Sequence, residues 1–367
     1  MKLAFDTEYE DLREEFRKPL ADVGLDSNLK WIETKATHDH SLWKRVSELG
    51  WLASAISEEN GGSGLAEIAL CIQAEEVGRS MAAIPFASSV CGYGIGLSIS
   101  ADPDKQAELL PSVASGTTIG LLLTEDTWRT PPQLETQGDS VFLTGSTGNV
   151  LDGDSASAAL TIVSDSHGYS IVQLKLSAAR KDVAGDLLDL LHPSCSFQFN
   201  RQEVDILMRG DSVPGVWQSI VDRYALFTAF EQLGGAAAAL EMARNHALQR
   251  YAFGRPIASY QGLKHSFSDM FVALDLARSN CYFGAAALNS NPELLHEAAC
   301  VARISATEAF RRCARGNMQM HGAMGVTWQS GCHLYYRRAQ ALSGHPYSMN
   351  AWKEALIKTL IEHKAAA

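Results

Sequence analysis

Two stretches hold most of the residue types able to do chemistry. Arg250 to His265 reads RYAFGRPIASYQGLKH, and Met318 to Trp328 reads MQMHGAMGVTW. In the first, a helix is expected to end at Arg250-Tyr251-Ala252-Phe253-Gly254-Arg255-Pro256: Gly254 frees the backbone and Pro256 prevents resumption. An arginine there can form paired hydrogen bonds to a pyrophosphate, and Phe253 can pack on an adenine or ribose. Gln261 opens the next helix, where backbone N–H groups and a side-chain amide can meet an anion. In the second stretch, Gly322 and Gly325 let a backbone approach a ligand closely. Taken singly, each has a plain structural reading: a capped helix with solvated arginines, a polar helix start, a glycine loop. Together they describe a holder for an anionic, ring-bearing cofactor.

The elements that must position these residues fall into three blocks. Residues 1–115 read as helical, with apolar helical spacing in Asp11 to Phe16, Ser41 to Leu49 and Ala66 to Arg79. Glu58 to Gly64 is a turn-rich loop, Pro85 is a break, and Pro111 is expected to stop a short helix that starts at Asp104. Residues 116–212 change texture. Short β-branched runs such as Thr118 to Leu123, Ser140 to Leu143 and Ala159 to Val163 predict a small antiparallel β-domain. Residues 213–367 predict a bundle of four long helices: Trp217 to Phe253, Tyr260 to Leu288, Pro292 to Met320 and Leu334 to Lys364.

Bulk properties exclude several classes. The chain has 367 residues, 46% of them hydrophobic and 20% charged, as expected of a soluble globular protein of two or three domains. A net charge of −11 argues against nucleic acid as the main partner. The seven cysteines, at 71, 91, 195, 281, 300, 313 and 332, show no metal-ligand spacing. No metal site is expected, and reduced buried thiols fit a cytoplasmic location. The acidic N-terminus lacks the apolar core of a signal peptide, and no uncharged apolar run suggests a membrane span.

The stretches RYAFGRPI, YQGLKH and QMHGAMGVTW occur in order on successive helices, after a helical block and a β-block. In this the chain resembles the acyl-CoA dehydrogenases. Leu49 to Gly64, Ala74 to Arg79 and His333 to Ala339 (HLYYRRA) are also similar to that family. The resemblance implies FAD, a flavin that accepts hydride from the β-carbon of an acyl-CoA, and a carboxylate that removes the α-proton. It assigns Arg250, Phe253, Gln261, Gln319, Gly322 and Ala323 to the ADP half of a neighbouring subunit's flavin. Ala323 stands where the family usually has glycine, which is tolerable unless that position needs a positive φ.

The chain also departs from the family. Of the stretch that usually holds the flavin ring and thioester, Thr124-Glu125 remain, followed by Asp126-Thr127-Trp128-Arg129-Thr130-Pro131. Ser146 to Val150 is a weak remnant of the strand covering the flavin's other face. The family's glutamate loop corresponds to Ser343 to Ser348, which has no carboxylate. Its alternative position, on the first bundle helix, holds Tyr224. Asp222 is the nearest stand-in base, read more simply as a solvated acid. Glu231 reads as a buried bundle contact, His345 as a loop histidine and His321 as a ribose or backbone contact. These departures resemble the non-catalytic subunit of α2β2 acyl-CoA dehydrogenases that act on steroid side-chain CoA thioesters. A homologous catalytic subunit, acyl-CoA and an electron-transfer flavoprotein are then the implied partners. The alternatives are a self-sufficient homotetramer and a flavin-free assembly protein.

Overall fold

The computed structural model of the chain describes residues 7–166, 168–183 and 188–366. The N-terminal part holds α1 (Thr7–Arg17), α2 (Leu25–Glu33), α3 (His40–Glu48) and α4 (Ile68–Ser80). A π-helical stretch, Ala87–Gly94, then runs into α5 (Ile95–Ser100), and α6 (Pro103–Ala114) closes the group. Two arginines of α1 tie it to α4: Arg13 reaches Glu75 at 2.8 Å and Glu76 at 3.0 Å, and Arg17 reaches Glu76 at 2.8 Å. The sequence reading missed α2 and the Ala87–Ser100 segment. The latter is rich in Gly, Ser and β-branched residues, so burial rather than intrinsic propensity makes it helical. Pro111 does not stop α6, which runs on to Ala114. Proline costs one N–H there, and the exposed side of the short helix tolerates the ring.

The middle part is one curled sheet of β1 (Gly120–Leu123), β2 (Trp128–Gln137), β3 (Ser140–Thr147), β4 (Ala158–Asp165), β5 (Gly168–Lys175), β6 (Arg180–Val183) and β7 (Cys195–Arg209). The spatial order is β1-β4-β5-β7-β3-β2, with β6 also on β7. Pairing is antiparallel as expected, except that β1 lies parallel to β4. The long β7 makes the curl: residues 205–209 pair with β5, and residues 195–204 pair with β3 and β6. Leu121, Leu143, Val172, Phe197 and Phe199 fill the core of this part.

The C-terminal part begins with α7 (Val213–Gln249). A short hairpin of β8 (Tyr251–Ala252) and β9 (Arg255–Pro256) follows, then α8 (Gln261–Ser290), α9 (Leu295–His321), α10 (Cys332–Leu342) and α11 (Met349–Ala366). Two expectations change. α7 ends at Gln249, four residues early, because Tyr251 and Phe253 continue the apolar rhythm while being 63% and 98% exposed. The expected fourth helix is two helices, broken at Ser343–Ser348. The Gly234-Gly235 pair does not interrupt α7; it lets α4 cross at backbone distance. A Cβ on Gly234 would lie 1.9 Å from the Glu75 carbonyl oxygen, and one on Gly78 would lie 1.9 Å from that of Glu231. Among the described residues, no helix is long and apolar enough to cross a membrane.

Candidate functional site

The predicted cofactor residues gather where α7 and α9 end and α8 begins. Arg250 is exposed and extended (φ −81°, ψ 124°), immediately after α7. The chain then turns back through Phe253 (φ 52°) and Gly254 (φ 80°), the two left-handed residues of a tight hairpin turn. Phe253 projects into solvent. The Tyr260 hydroxyl donates to the Ala252 carbonyl at 2.9 Å, and the Arg255 guanidinium lies over the Tyr260 ring at 4.1 Å. These contacts fix the hairpin against Gln261, the exposed first residue of α8.

The other half of the group sits on α9. Gln319 is exposed on its last turn, and Gly322 ends it with φ 60° and open space around its α-carbon. The rings of His246 and His321 stack at 4.0 Å between centroids and join the ends of α7 and α9. His321 contacts the Asn317 carbonyl at 2.9 Å. Ala323 is not among the residues with positive φ, so alanine sits there unstrained. The donor set is one guanidinium, two carboxamides and a bare glycine turn, with an exposed aromatic beside them. That chemistry suits a nucleotide diphosphate.

The two positions to which the resemblance assigns a carboxylate meet in this chain. Tyr224 Oη and His345 Nε2 lie 2.8 Å apart, joining α7 to the segment between α10 and α11. Burial pushes the Tyr224 hydroxyl up and drops His345 to about 4, with the Arg303 cation adding to the latter. The pair is neutral at pH 7, and no carboxylate stands at either position. Asp222 is not the solvated acid expected: it is 3% exposed and accepts from Gln218 at 2.9 Å. Its other contact is His296, at 2.9 Å, whose pKa it raises by hydrogen bonding. Two residues along a helix is over half a turn, so Asp222 faces α9 and not the Tyr224–His345 pair.

A buried polar network surrounds that pair. Arg338 of the HLYYRRA stretch donates to Asp189 at 2.8 Å and to Glu231, bridging α10, α7 and the loop before β7. Glu231 is thus the buried bundle contact expected. Desolvation opposes the Arg338 charge, but Glu231 and Asp189 outweigh it and raise its pKa. Ser88 donates to Asp152 at 2.6 Å, and the other oxygen of Asp152 meets His192 Nδ1 at 2.6 Å. Burial alone would raise the Asp152 carboxyl; His192 more than offsets this, and the pKa falls. Arg303 is 1% exposed and donates to Gln232, Thr307 and the Leu342 and His345 carbonyls. Sequence reasoning missed Arg303, Asp152, Asp189 and His192. The acids and His192 lie in loops without periodicity, and nothing in a helical pattern marks Arg303 as buried.

The two segments that the resemblance assigns to the flavin ring adjoin one another. The Gly148 N–H donates to the Thr127 carbonyl at 2.7 Å. Together with Asn149, His192 and His345 these residues line a cleft of about 260 Å³. That is below the usual range of about 300–1,000 Å³ for small-molecule sites. Glu125 accepts from Trp217 at 3.3 Å and from Tyr347, which ties the segment after β1 to α7 and to the loop before α11. Among the described residues, no group of three or more His, Cys, Asp or Glu is placed to hold a metal ion.

Comparison with known proteins bears on this arrangement. Residues 6–117 match the profile of the acyl-CoA dehydrogenase N-terminal domain, and residues 216–344 that of the C-terminal domain. The chain is 30% identical over 308 residues to acyl-CoA dehydrogenase IpdE2 of Mycobacterium tuberculosis, covering 82% of this chain and 81% of that protein. It is 27% identical to the human mitochondrial short-chain specific acyl-CoA dehydrogenase, over 81% and 76%. Its fold matches a chain of the ChsE4-ChsE5 complex from Mycobacterium tuberculosis with a TM-score of 0.90 at 22% identity, over 99% of each. A chain of the Tcur3481-Tcur3483 steroid ACAD matches with a TM-score of 0.87 at 23% identity, over 98% and 99%. The chain therefore belongs to the acyl-CoA dehydrogenase family, whose members are FAD-binding flavoproteins.

Proposed function

We propose that this chain is the non-catalytic subunit of a heteromeric acyl-CoA dehydrogenase. It holds the ADP half of FAD for the active site of a homologous catalytic partner. The observation that carries this reading is the Tyr224–His345 contact, which fills both positions for a base with neutral groups and joins them to each other. The narrow cleft and the Arg338 network support it, because they leave little room for a flavin ring and a thioester. When bound, FAD would accept hydride from the acyl β-carbon.

Within this reading, Arg250 pairs with the diphosphate, and Gln261 and Gln319 hydrogen-bond the adenosine side. Phe253 covers the nucleotide, and the Gly322-Ala323 backbone lets it approach. The chain divides functionally at about residues 115 and 212, and the last block makes the inter-subunit contact. The substrate is a bulky acyl-CoA, with steroid side-chain thioesters favoured by the fold relative named as a steroid ACAD. A catalytic subunit in an α2β2 assembly, an electron-transfer flavoprotein and a cytoplasmic location complete the proposal.

Expression of the chain alone and with a homologous partner tests it. Flavin at about one per two chains, only in the complex and reduced by Arg250→Ala or Gln319→Ala, is expected. Yellow, active protein from the single chain refutes the heteromer, and a colourless active-site-free complex refutes the flavin role.

A further inference from the structure

A ladder of side chains joins the end of α7 to the end of α9, and its top rung is a pair of histidines. His246 lies one turn before the end of α7, and the Arg250 N–H donates to its carbonyl at 2.8 Å. His321 is the last residue of α9, two after Gln319 and directly before Gly322. Their rings face each other with centroids 4.0 Å apart and planes 26° apart. The rung below ties the same two helices: the Asn317 amide donates to the Met242 sulfur at 3.3 Å. Asn317 also joins the rungs, since its carbonyl accepts from His321 Nδ1 at 2.9 Å.

Above the histidines the chain turns away on both sides. One side leaves through Phe253 and Gly254, the other through Gly322, all three with positive φ. A corner made of two helix ends and two turns keeps one geometry only if the distance between the ends is fixed. Two flat rings in contact fix it with few rotatable bonds. Burial lowers the His246 pKa, and the His321 ring and the Arg250 cation lower it further. The His246 ring is therefore uncharged at pH 7, and it meets His321 without bringing a cation to the stack.

We propose, on the reading of this corner as the holder of the ADP half of FAD, that the His246–His321 stack is a clasp that sets the reach of Arg250 from Gln319 and Gly322 before the cofactor arrives. Both histidines are positioning residues, and His321 serves the frame of the corner and not the ribose. An opened clasp leaves every clamp residue in the chain but populates the fitting geometry less, and apparent affinity falls by the same fraction.

Flavin retention by the complex of the full chain with its homologous partner tests this, followed by flavin fluorescence on dilution. His246→Ala should raise the apparent dissociation constant of FAD about tenfold, as when the closed corner falls to about one tenth of the population. His246→Phe keeps a flat ring without the nitrogens and should hold FAD as the unaltered chain does. Hydrogen exchange of the chain alone gives a second reading that needs no cofactor. The last-turn amides of α7 and α9 should lose protection in His246→Ala and keep it in His246→Phe. His246 is partly exposed near a helix end, so both variants should fold, and circular dichroism checks it. If Arg250→Ala releases FAD and His246→Ala does not, the clasp falls while the cofactor reading stands. If the Ala and Phe variants lose FAD equally, the ring face is not what matters and the clasp falls as well. A complex that never holds flavin overturns the cofactor reading and takes the clasp with it, whatever hydrogen exchange shows.

Discussion

Arg338 offers the sharpest test of the view that a polar network has taken over the interior. It is 5% exposed and lies between Asp189 and Glu231, one on each side. Replacing it with Met keeps the length of the stem and removes the cation that bridges them. Two buried carboxylates would then face each other across a vacated position, and one Glu231 oxygen already has no hydrogen-bond partner. Breaking a buried pair in this way costs about 3–5 kcal/mol. With a melting shift of about 2 °C per kcal/mol for a chain of this size, Tm should fall by roughly 6–10 °C. Urea unfolding followed by fluorescence of the seven tryptophans measures the loss directly. Removing the whole triad with Arg338→Met, Glu231→Leu and Asp189→Asn should recover most of it, since no charge is left unpaired. A single variant that loses less than about 1 kcal/mol, or a triple variant no better than the single, would refute the argument.

Other expectations follow from the same structure. His345 titrates at about 4 when folded, below the ordinary histidine value. Only the unfolded chain then takes up its proton between about pH 6.5 and 4, so stability drains as pH falls through that window, by about 3 kcal/mol. His345→Gln should flatten this slope in urea midpoints measured from pH 7 to 4.5; an unchanged slope assigns it elsewhere. Phe253→Gly should stabilise the isolated chain by about 0.5–1 kcal/mol by relieving a left-handed residue, yet lower the flavin content of the complex. A loss of stability sinks that reading. Gly234→Ala should cost about 3 kcal/mol or more, because its methyl group has no room against α4; thermal melting shows it. Asp222→Asn should leave turnover of the complex unchanged while lowering the pKa of His296 by NMR, and a collapse of turnover would restore Asp222 as a base.

Much of the architecture was legible because it rests on periodicity. Three of the four long bundle helices were recognisable from their apolar spacing, and Gln261 was correctly placed as a helix start. Errors arose where periodicity and environment diverge. Tyr251 and Phe253 keep the apolar rhythm of α7 while standing in solvent, and Leu334 to Lys364 keeps one rhythm across a break. The Ala87–Ser100 segment has weak helical propensity and folds by burial. The grouping of Arg250, Phe253, Gln261, Gln319 and Gly322 was readable because these residues lie in short contiguous stretches. The network was not: Ser88, Asp152, His192, Glu231 and Arg338 are far apart in sequence and meet only through the crossing of α7, α10 and the sheet loops. Asp222 shows the limit of counting along a helix, since a displacement of two residues turned it to the opposite side.

The contact between Tyr224 and His345 also bears on how the chain could change. Tyr224 already feels the negative charges of Asp152 and Glu231. A glutamate installed there would be a third acid in a buried space, and crowding among like charges would hold it protonated. It could not take a proton from a substrate until Asp152 or Glu231 had gone as well, and removing either leaves His192 or Arg338 without its partner. A working base at this position is therefore not one substitution away. In the proposed reading, the polar interior acts as a ratchet that holds the chain to its partner.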